Sequence, residues 1–196
     1  MQKISTKKKI ENSKRTRCKV EKKSKLWHRK SVPYLNEMIE HYGEEILKAP
    51  KFQEQDEYIQ HGNITVRQHC MSVARASLKL DSLLHAGCDE RTLIRGALLH
   101  DYFLYDWHKP NKANRWHGFR HPKSAFLNAQ RHFDLSNIEK DVILKHMWPL
   151  TIRPPRYRES VIVCLVDKLC TVAEMLRIGA RHYAIHVPTL KTKVVF

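Results

Sequence analysis

The sequence predicts an all-α fold, a bundle of about six helices that follows a basic N-terminal tail. Apolar residues recur at intervals of three and four more often than they alternate, which is the spacing of one helix face. Glycine is scarce, with six among 196 residues, and no segments form a convincing strand pair. The length suits one domain and leaves no room for a second. We therefore expect a tail at residues 1–30 and a single helical domain at residues 31–196.

The first two predicted helices have recognisable ends. One opens at Ser31, with a proline two residues later, and stops at Pro50, because proline is tolerated in the first turn and ends a helix further on. Residues 51–64 form a short segment that ends in a turn at Gly62. Thr65 can then cap a long helix that runs to about residue 85.

Four further helices complete the predicted bundle. Asp89 is the natural cap of the third helix, and His121, with the proline after it, is expected to start the fourth. Ser136 and a glutamate three residues later form the sequence pattern of a capping box for the fifth. The last long helix covers roughly residues 157–178.

Positive charge is concentrated in the tail. The first 30 residues hold 13 lysines and arginines against two acidic residues, a net +11 of the chain's formal +16. A segment with so few apolar residues is not expected to fold alone. Its charge predicts attraction to nucleic acid or to an anionic surface without sequence preference. A solvated extension with no dedicated partner is an equally good interpretation.

Composition also indicates a compartment. No stretch approaches the 18 consecutive apolar residues of a transmembrane helix, and no apolar region follows the basic N-terminus as it would in a signal peptide. The five cysteines are widely spaced and form no C-x-x-C motif, so the prediction is a cytoplasmic protein without structural disulfides. The oligomeric state is not predicted.

Six residues of metal-ligand type stand on the predicted helices in the order H, HD, H, H, D, and four helices are expected to supply them. Imidazole and carboxylate groups together hold one or two catalytic divalent metals and leave positions open for water and substrate. An isolated His-Asp pair would favour a hydrogen-bonded structural network, whereas the whole set favours a metal. The candidate ligands are His69, His100, Asp101, His121, His146 and Asp167.

This pattern resembles the HD superfamily of metal-dependent phosphohydrolases, whose signature is a histidine, a His-Asp pair and a later aspartate on a helical core. The resemblance covers about residues 60–178, and the two additional histidines are similar to those of the binuclear members. It implies an HD-type helical domain in which His69, His100, Asp101 and Asp167 hold one ion. Asp101 would bridge to a second ion, held by the remaining two histidines of the set.

The resemblance also implies an activity. It is the hydrolysis of a phosphomonoester or phosphodiester of a nucleotide or other small phosphorylated substrate by a metal-bridging hydroxide. Mixed nitrogen and oxygen ligands favour iron or manganese, and magnesium, nickel, cobalt or zinc would also fit.

Cationic side chains near the ligands are candidates for substrate contacts, because a cationic rim holds an anionic substrate. Some lie in a long aromatic and basic loop between residues 102 and 118, which also carries two possible proton donors, His108 and His117. The predicted catalytic residues are Asp101, Lys145 and Lys168. The predicted substrate-binding residues are Lys109, Arg153 and Arg156.

Two other functions share these features. A nucleic-acid-binding or ribosome-associated protein would use the tail, with a structural or vestigial metal site. Steep salt dependence of binding that vanishes on deletion of residues 1–30 would favour it, whereas hydrolysis that survives the deletion would favour the enzyme. An HD-type oxygenase with a di-iron pair would share the ligands, and oxygen consumption would distinguish it.

Overall fold

A computed structural model describes residues 31–109 and 116–176, so the predicted basic tail lies outside the described residues. Across these two ranges the all-α prediction is confirmed, with seven α-helices rather than about six. They are α1 (Val32–Lys48), α2 (Pro50–Gln53), α3 (Val66–Leu84), α4 (Glu90–Leu99), α5 (His117–His132), α6 (Asn137–Lys145) and α7 (Arg158–Met175). A short 3₁₀ helix (Glu54–Glu57) and the strands β1 (Ile59–His61) and β2 (Ile64–Thr65) lie between α2 and α3.

The caps that the sequence indicates are present in the structure. Thr65 and Ser136 each form a capping box with the side chain three residues later, Gln68 and Glu139 respectively. Asp89 Oδ1 accepts a hydrogen bond from the backbone N–H three residues on, at 2.8 Å. These bonds satisfy amide groups that the first turn of a helix leaves unpaired, which explains why helix starts were predictable at these positions.

The expectation that the chain has no strand pair is wrong at the hairpin before α3. β1 and β2 are antiparallel, with Ile59 opposite Thr65, and Gly62 adopts a φ of 58° in the turn between them. The strands contain three and two residues. Segments this short do not show the alternation from which a strand is recognised in a sequence.

α5 begins four residues earlier than predicted, at His117 instead of His121, and Pro122 lies inside it. The preference of proline for the first turn misplaced the predicted start. In the structure the His117 ring stacks on Trp107 and on His121, with centroid distances of 4.9 and 4.6 Å. This stacking stabilises one additional turn ahead of the proline.

The core lies where α4 packs against α1, α3 and α6, and α3 packs against α7. Every residue of α4 from Thr92 to Leu99 is buried, as is typical of a central helix with neighbours on all sides. No helix in the described part of the chain is long and apolar enough to span a membrane.

Gly96 allows α4 and α6 to approach closely. A Cβ atom at this position would lie 3.0 to 3.1 Å from three atoms of Val142, one of which is the Cβ of Val142. Because Val142 is branched at Cβ, rotation of its side chain does not clear the space.

We expect Gly96→Ala to lower the free energy of unfolding by about 1–3 kcal/mol through overpacking, measured by urea denaturation. Gly→Ala inside a helix otherwise stabilises by roughly 0.5–1 kcal/mol. The pair Gly96→Ala and Val142→Ala should cost less than the sum of the two single substitutions. Strictly additive losses of unfolding free energy would show that the close approach of α4 and α6 at Gly96 does not cause the destabilisation.

Candidate metal centre

Five helices, rather than the expected four, bring the six candidate ligands together in the core. Three ligands lie within helices, and the other three are at or just beyond a helix end. His69 lies in α3, His121 in α5 and Asp167 in α7. His100 directly follows the last residue of α4 and is followed by Asp101, and His146 directly follows the last residue of α6. All six side chains are buried.

Asp101 links two groups of ligands. Its Oδ2 atom lies 3.5 Å from His100 Nε2 and 3.9 Å from His69 Nε2. Its Oδ1 atom lies 3.3 Å from His121 Nε2 and 3.5 Å from His146 Nε2. The two groups with the spacing of metal ligands are His69, His100 and Asp167, and Asp101, His121 and His146.

The four imidazoles are oriented alike. In each, Nδ1 bonds to an oxygen that can only accept, so the Nδ1 atom carries a proton and Nε2 is the atom turned toward the cluster. For His69 the acceptor is the Glu174 carboxylate at 2.9 Å. For His100, His121 and His146 the acceptors are the carbonyl oxygens of Ala97, His117 and Ile143, at 2.8, 2.9 and 2.9 Å.

This arrangement leaves polar atoms that a bound cation would satisfy. His121 Nε2 and His146 Nε2 are 2.8 Å apart, so a shared proton or a metal ion is needed to offset the repulsion between two lone pairs. His100 Nε2 and Asp101 Oδ1 are buried without a hydrogen-bond partner, which is costly in a low-dielectric core. The residues present fit divalent ions, and the two buried groups can therefore hold them.

The electrostatics of the cluster also favour cations. Burial lowers the pKa of His69, but the carboxylates of Asp167 and Glu174 outweigh it and raise the pKa to about 10. Burial raises the pKa of Asp101, yet the charge of His100 holds it well below its usual range. Ionised carboxylates and proton-binding nitrogen atoms mark a negative site, and a metal ion competes with protons for the same nitrogen atoms.

Glu174, in α7, is a partner of the candidate metal centre. Its Oε1 and Oε2 atoms lie 3.1 and 2.9 Å from His69 Nδ1. A carboxylate at this nitrogen fixes the orientation of the ring and raises the basicity of Nε2.

We expect Glu174→Gln to weaken metal binding about 10- to 100-fold, because a neutral amide holds His69 less firmly. Competition with a chromophoric chelator for Mn²⁺ or Zn²⁺ measures this affinity. Glu57→Gln, at an exposed position of the 3₁₀ helix, is the matched control and should leave the affinity unchanged. Equal affinities for the Glu174 variant and the wild type would contradict the orienting role.

Two buried glutamines support Asp101 and were missed by sequence reasoning. Gln60 Nε2 donates to Asp101 Oδ2 at 2.7 Å, and Gln55 Nε2 donates to the Asp101 carbonyl oxygen at 2.9 Å. Glutamine is not a typical metal ligand, and the hairpin that carries Gln60 was not predicted. The sequence therefore contains no signal for either residue.

The ammonium groups of the two predicted catalytic lysines bond to other partners among the described residues. Lys145 Nζ lies 2.5 Å from Asp141 Oδ1. Lys168 Nζ donates to the carbonyl oxygens of His146 and Cys164, at 2.7 and 3.0 Å. Lys168 thus holds the backbone of a ligand residue, and a direct catalytic role for either lysine remains a prediction.

The three predicted substrate-binding residues, Lys109, Arg153 and Arg156, are exposed. Lys109 Nζ lies 3.9 Å from Asp106 Oδ2, and the Arg156 backbone N–H donates to Asp141 Oδ2 at 2.9 Å. Their exposure leaves them accessible to an anion, and their role in binding remains a prediction.

The possible proton donors differ in their surroundings. His117 is partly buried, and its Nδ1 bonds to the Tyr105 hydroxyl at 2.9 Å. Burial, followed by the charge of His121, lowers the pKa of His117 to about 4, so its ring is neutral at pH 7 and little of the protonated form that a general acid requires is present. His108 is exposed, with Nδ1 3.7 Å from Asp106 Oδ1.

Comparison of the chain with protein-family models, with curated proteins and with solved structures found no match. The assignment of a metal centre therefore rests on the donor atoms, their burial and the hydrogen bonds that orient them. The HD-type resemblance is carried by the same six residues.

Proposed function

We propose that the protein is an HD-type metal-dependent phosphohydrolase that cleaves a phosphomonoester or phosphodiester of a nucleotide or other small phosphorylated substrate. The observation that carries this proposal is the position of Asp101, with one carboxylate oxygen toward each group of ligands. A carboxylate shared in this way is suited to hold two ions side by side. When bound, such ions supply Lewis acidity and lower the pKa of water.

The ligand set supports an anionic substrate. Four neutral imidazoles and two carboxylates offset only part of the charge of two divalent ions, so a phosphate group is attracted to the centre. Mixed nitrogen and oxygen donors favour iron, manganese or another transition ion over magnesium. Burial of all six ligands supports a small phosphorylated substrate rather than a folded macromolecule.

The proposal is tested by elemental analysis of the purified full chain together with a screen for phosphate release. Nucleotides and nitrophenyl phosphate mono- and diesters are offered in Mn²⁺ and in Fe²⁺. We expect about two ions per chain, one for each group of ligands, and hydrolysis that a chelator abolishes and added metal restores.

Two results would count against the hydrolase. Protein that contains no metal and stays inactive with either ion would remove the catalytic interpretation. Oxygen consumption without phosphate release would assign the centre to an oxygenase, since two histidines and a carboxylate also hold non-haem iron.

A further inference from the structure

α7 presents an apolar face to solvent. Beyond Arg158, every residue of α7 that is exposed is apolar, and Leu176 continues the same face beyond the helix end. We call these residues the α7 stripe. Its members are Val161, Leu165, Leu169, Val172, Met175 and Leu176, which are 48 to 67% exposed.

The α7 stripe is continuous along the helix. At about 100° per residue its six members fall within an arc of roughly 120°. Asp167 and Glu174 lie on the opposite side, facing the metal centre. The helix is therefore apolar toward solvent and polar toward the core, which is the reverse of a helix at a free surface.

The two cations on this arc turn away from it. Lys168 directs its ammonium group to the carbonyl oxygens of His146 and Cys164. Arg158 directs its guanidinium group to the carbonyl oxygens of Ala86 and Gly87, at 2.6 and 3.2 Å. Neither charged group lies on the surface of the stripe, so a partner that covers the stripe need not remove water from an unpaired cation.

The exposed area is that of an interface. Half-exposed side chains of this size present on the order of 600 Å² of apolar surface, the upper limit for the largest patch on an ordinary monomer. The backbone of Trp148 contacts α7, since its carbonyl oxygen accepts a bond from Cys164 at 3.3 Å, and Trp148 is itself 42% exposed. The exposed surface of the stripe and of Trp148 together approaches the roughly 800 Å² of surface that each partner buries in a stable dimer.

We propose that the α7 stripe binds the α7 stripe of a second copy of this chain, in a symmetric dimer. Leu165, Leu169, Val172 and Leu176 follow one another at intervals of four, three and four residues, the spacing with which two helices interdigitate. A twofold axis brings the same face of both copies together, so one apolar stripe suffices for both partners.

The sequence after α7 is a poorer match for the stripe. Pro188 stands in the middle of residues 177–196 and interrupts any helix long enough to pair with the whole stripe. The second copy is therefore the occupant that the observations favour.

Analytical ultracentrifugation of the full chain at micromolar concentration tests this proposal. We expect the wild type to sediment at twice the monomer mass of 23.2 kDa and Leu169→Glu to sediment as a monomer. Leu84→Glu, on an equally exposed leucine outside the stripe, should remain a dimer. Far-UV circular dichroism and metal content, unchanged between the variants, show that each is folded.

A wild-type monomer, or a Leu169→Glu variant that remains a dimer, would overturn the proposal. Reaction of the Val172→Cys thiol with a maleimide gives an independent readout. If the Val172→Cys protein is a dimer and is labelled slowly, and the double variant Val172→Cys with Leu169→Glu is labelled fast, the result would support the dimer. Slow labelling in a monomeric protein would instead assign the cover to residues 177–196 and reject the dimer.

Discussion

Asp101→Ala is expected to abolish hydrolysis and to reduce bound metal from two ions to at most one. The substitution removes the oxygen that faces His121 and His146, which leaves that group with two neutral nitrogen atoms. The other group keeps His69, His100 and Asp167. Since several kcal/mol of charge stabilisation would be lost and about 1.4 kcal/mol is tenfold in rate, we expect kcat/KM to fall by about 1,000-fold or more.

Asp134→Ala is the matched control for this substitution. Asp134 is exposed, and the hydrogen bond that it accepts from Arg95 is made by its backbone carbonyl, which survives in the variant. Metal content and rate should be those of the wild type. An Asp101→Ala protein that still holds two ions would show that Asp101 is not shared, and one that hydrolyses at the wild-type rate would remove it from the catalytic centre.

Arg95→Met is expected to destabilise the fold by about 3–5 kcal/mol, because it leaves a buried carboxylate without its cation. Arg95 Nε donates to Glu139 at 2.6 Å, and a terminal nitrogen donates to Glu45 at 2.8 Å. Glu139 is fully buried. Burial lowers the pKa of Arg95, but Glu45 and Glu139 together raise it, so the guanidinium remains charged.

Urea denaturation measures the loss, and Glu45→Gln provides the contrast. The Glu45 side chain is 60% exposed, so its pair with Arg95 is screened by solvent and should contribute at most about 1 kcal/mol. Arg95→Met with Glu139→Met should recover much of the loss. A cost below about 1 kcal/mol for Arg95→Met alone would show that the buried pair is not needed.

Sequence reasoning located the helices mainly where a cap and an apolar pattern coincide. Thr65 and Ser136 bond to residues three positions away, and such bonds depend on the local chain alone. The predicted start at His121 failed for the opposite reason. The additional turn of α5 is held by Trp107, a residue outside that helix.

The types of residue in the metal centre were also visible in the sequence, because an aspartate on an apolar helix face requires a cation or hydrogen-bond donors. The supporting residues were not. Gln60 and Asp101 are 41 residues apart, and His69 and Glu174 are 105 residues apart. No spacing rule connects positions so distant.

By itself, therefore, the sequence determined what depends on neighbours within about one turn: most of the helices, the caps at Thr65, Asp89 and Ser136, and the six residues able to bind metal. The tertiary structure decided which oxygen of Asp101 faces which histidines, that Lys168 bonds to a carbonyl oxygen, and that α7 exposes its leucines. The physical reason is that these contacts join elements whose relative positions are set by packing of the whole core, which no local pattern encodes.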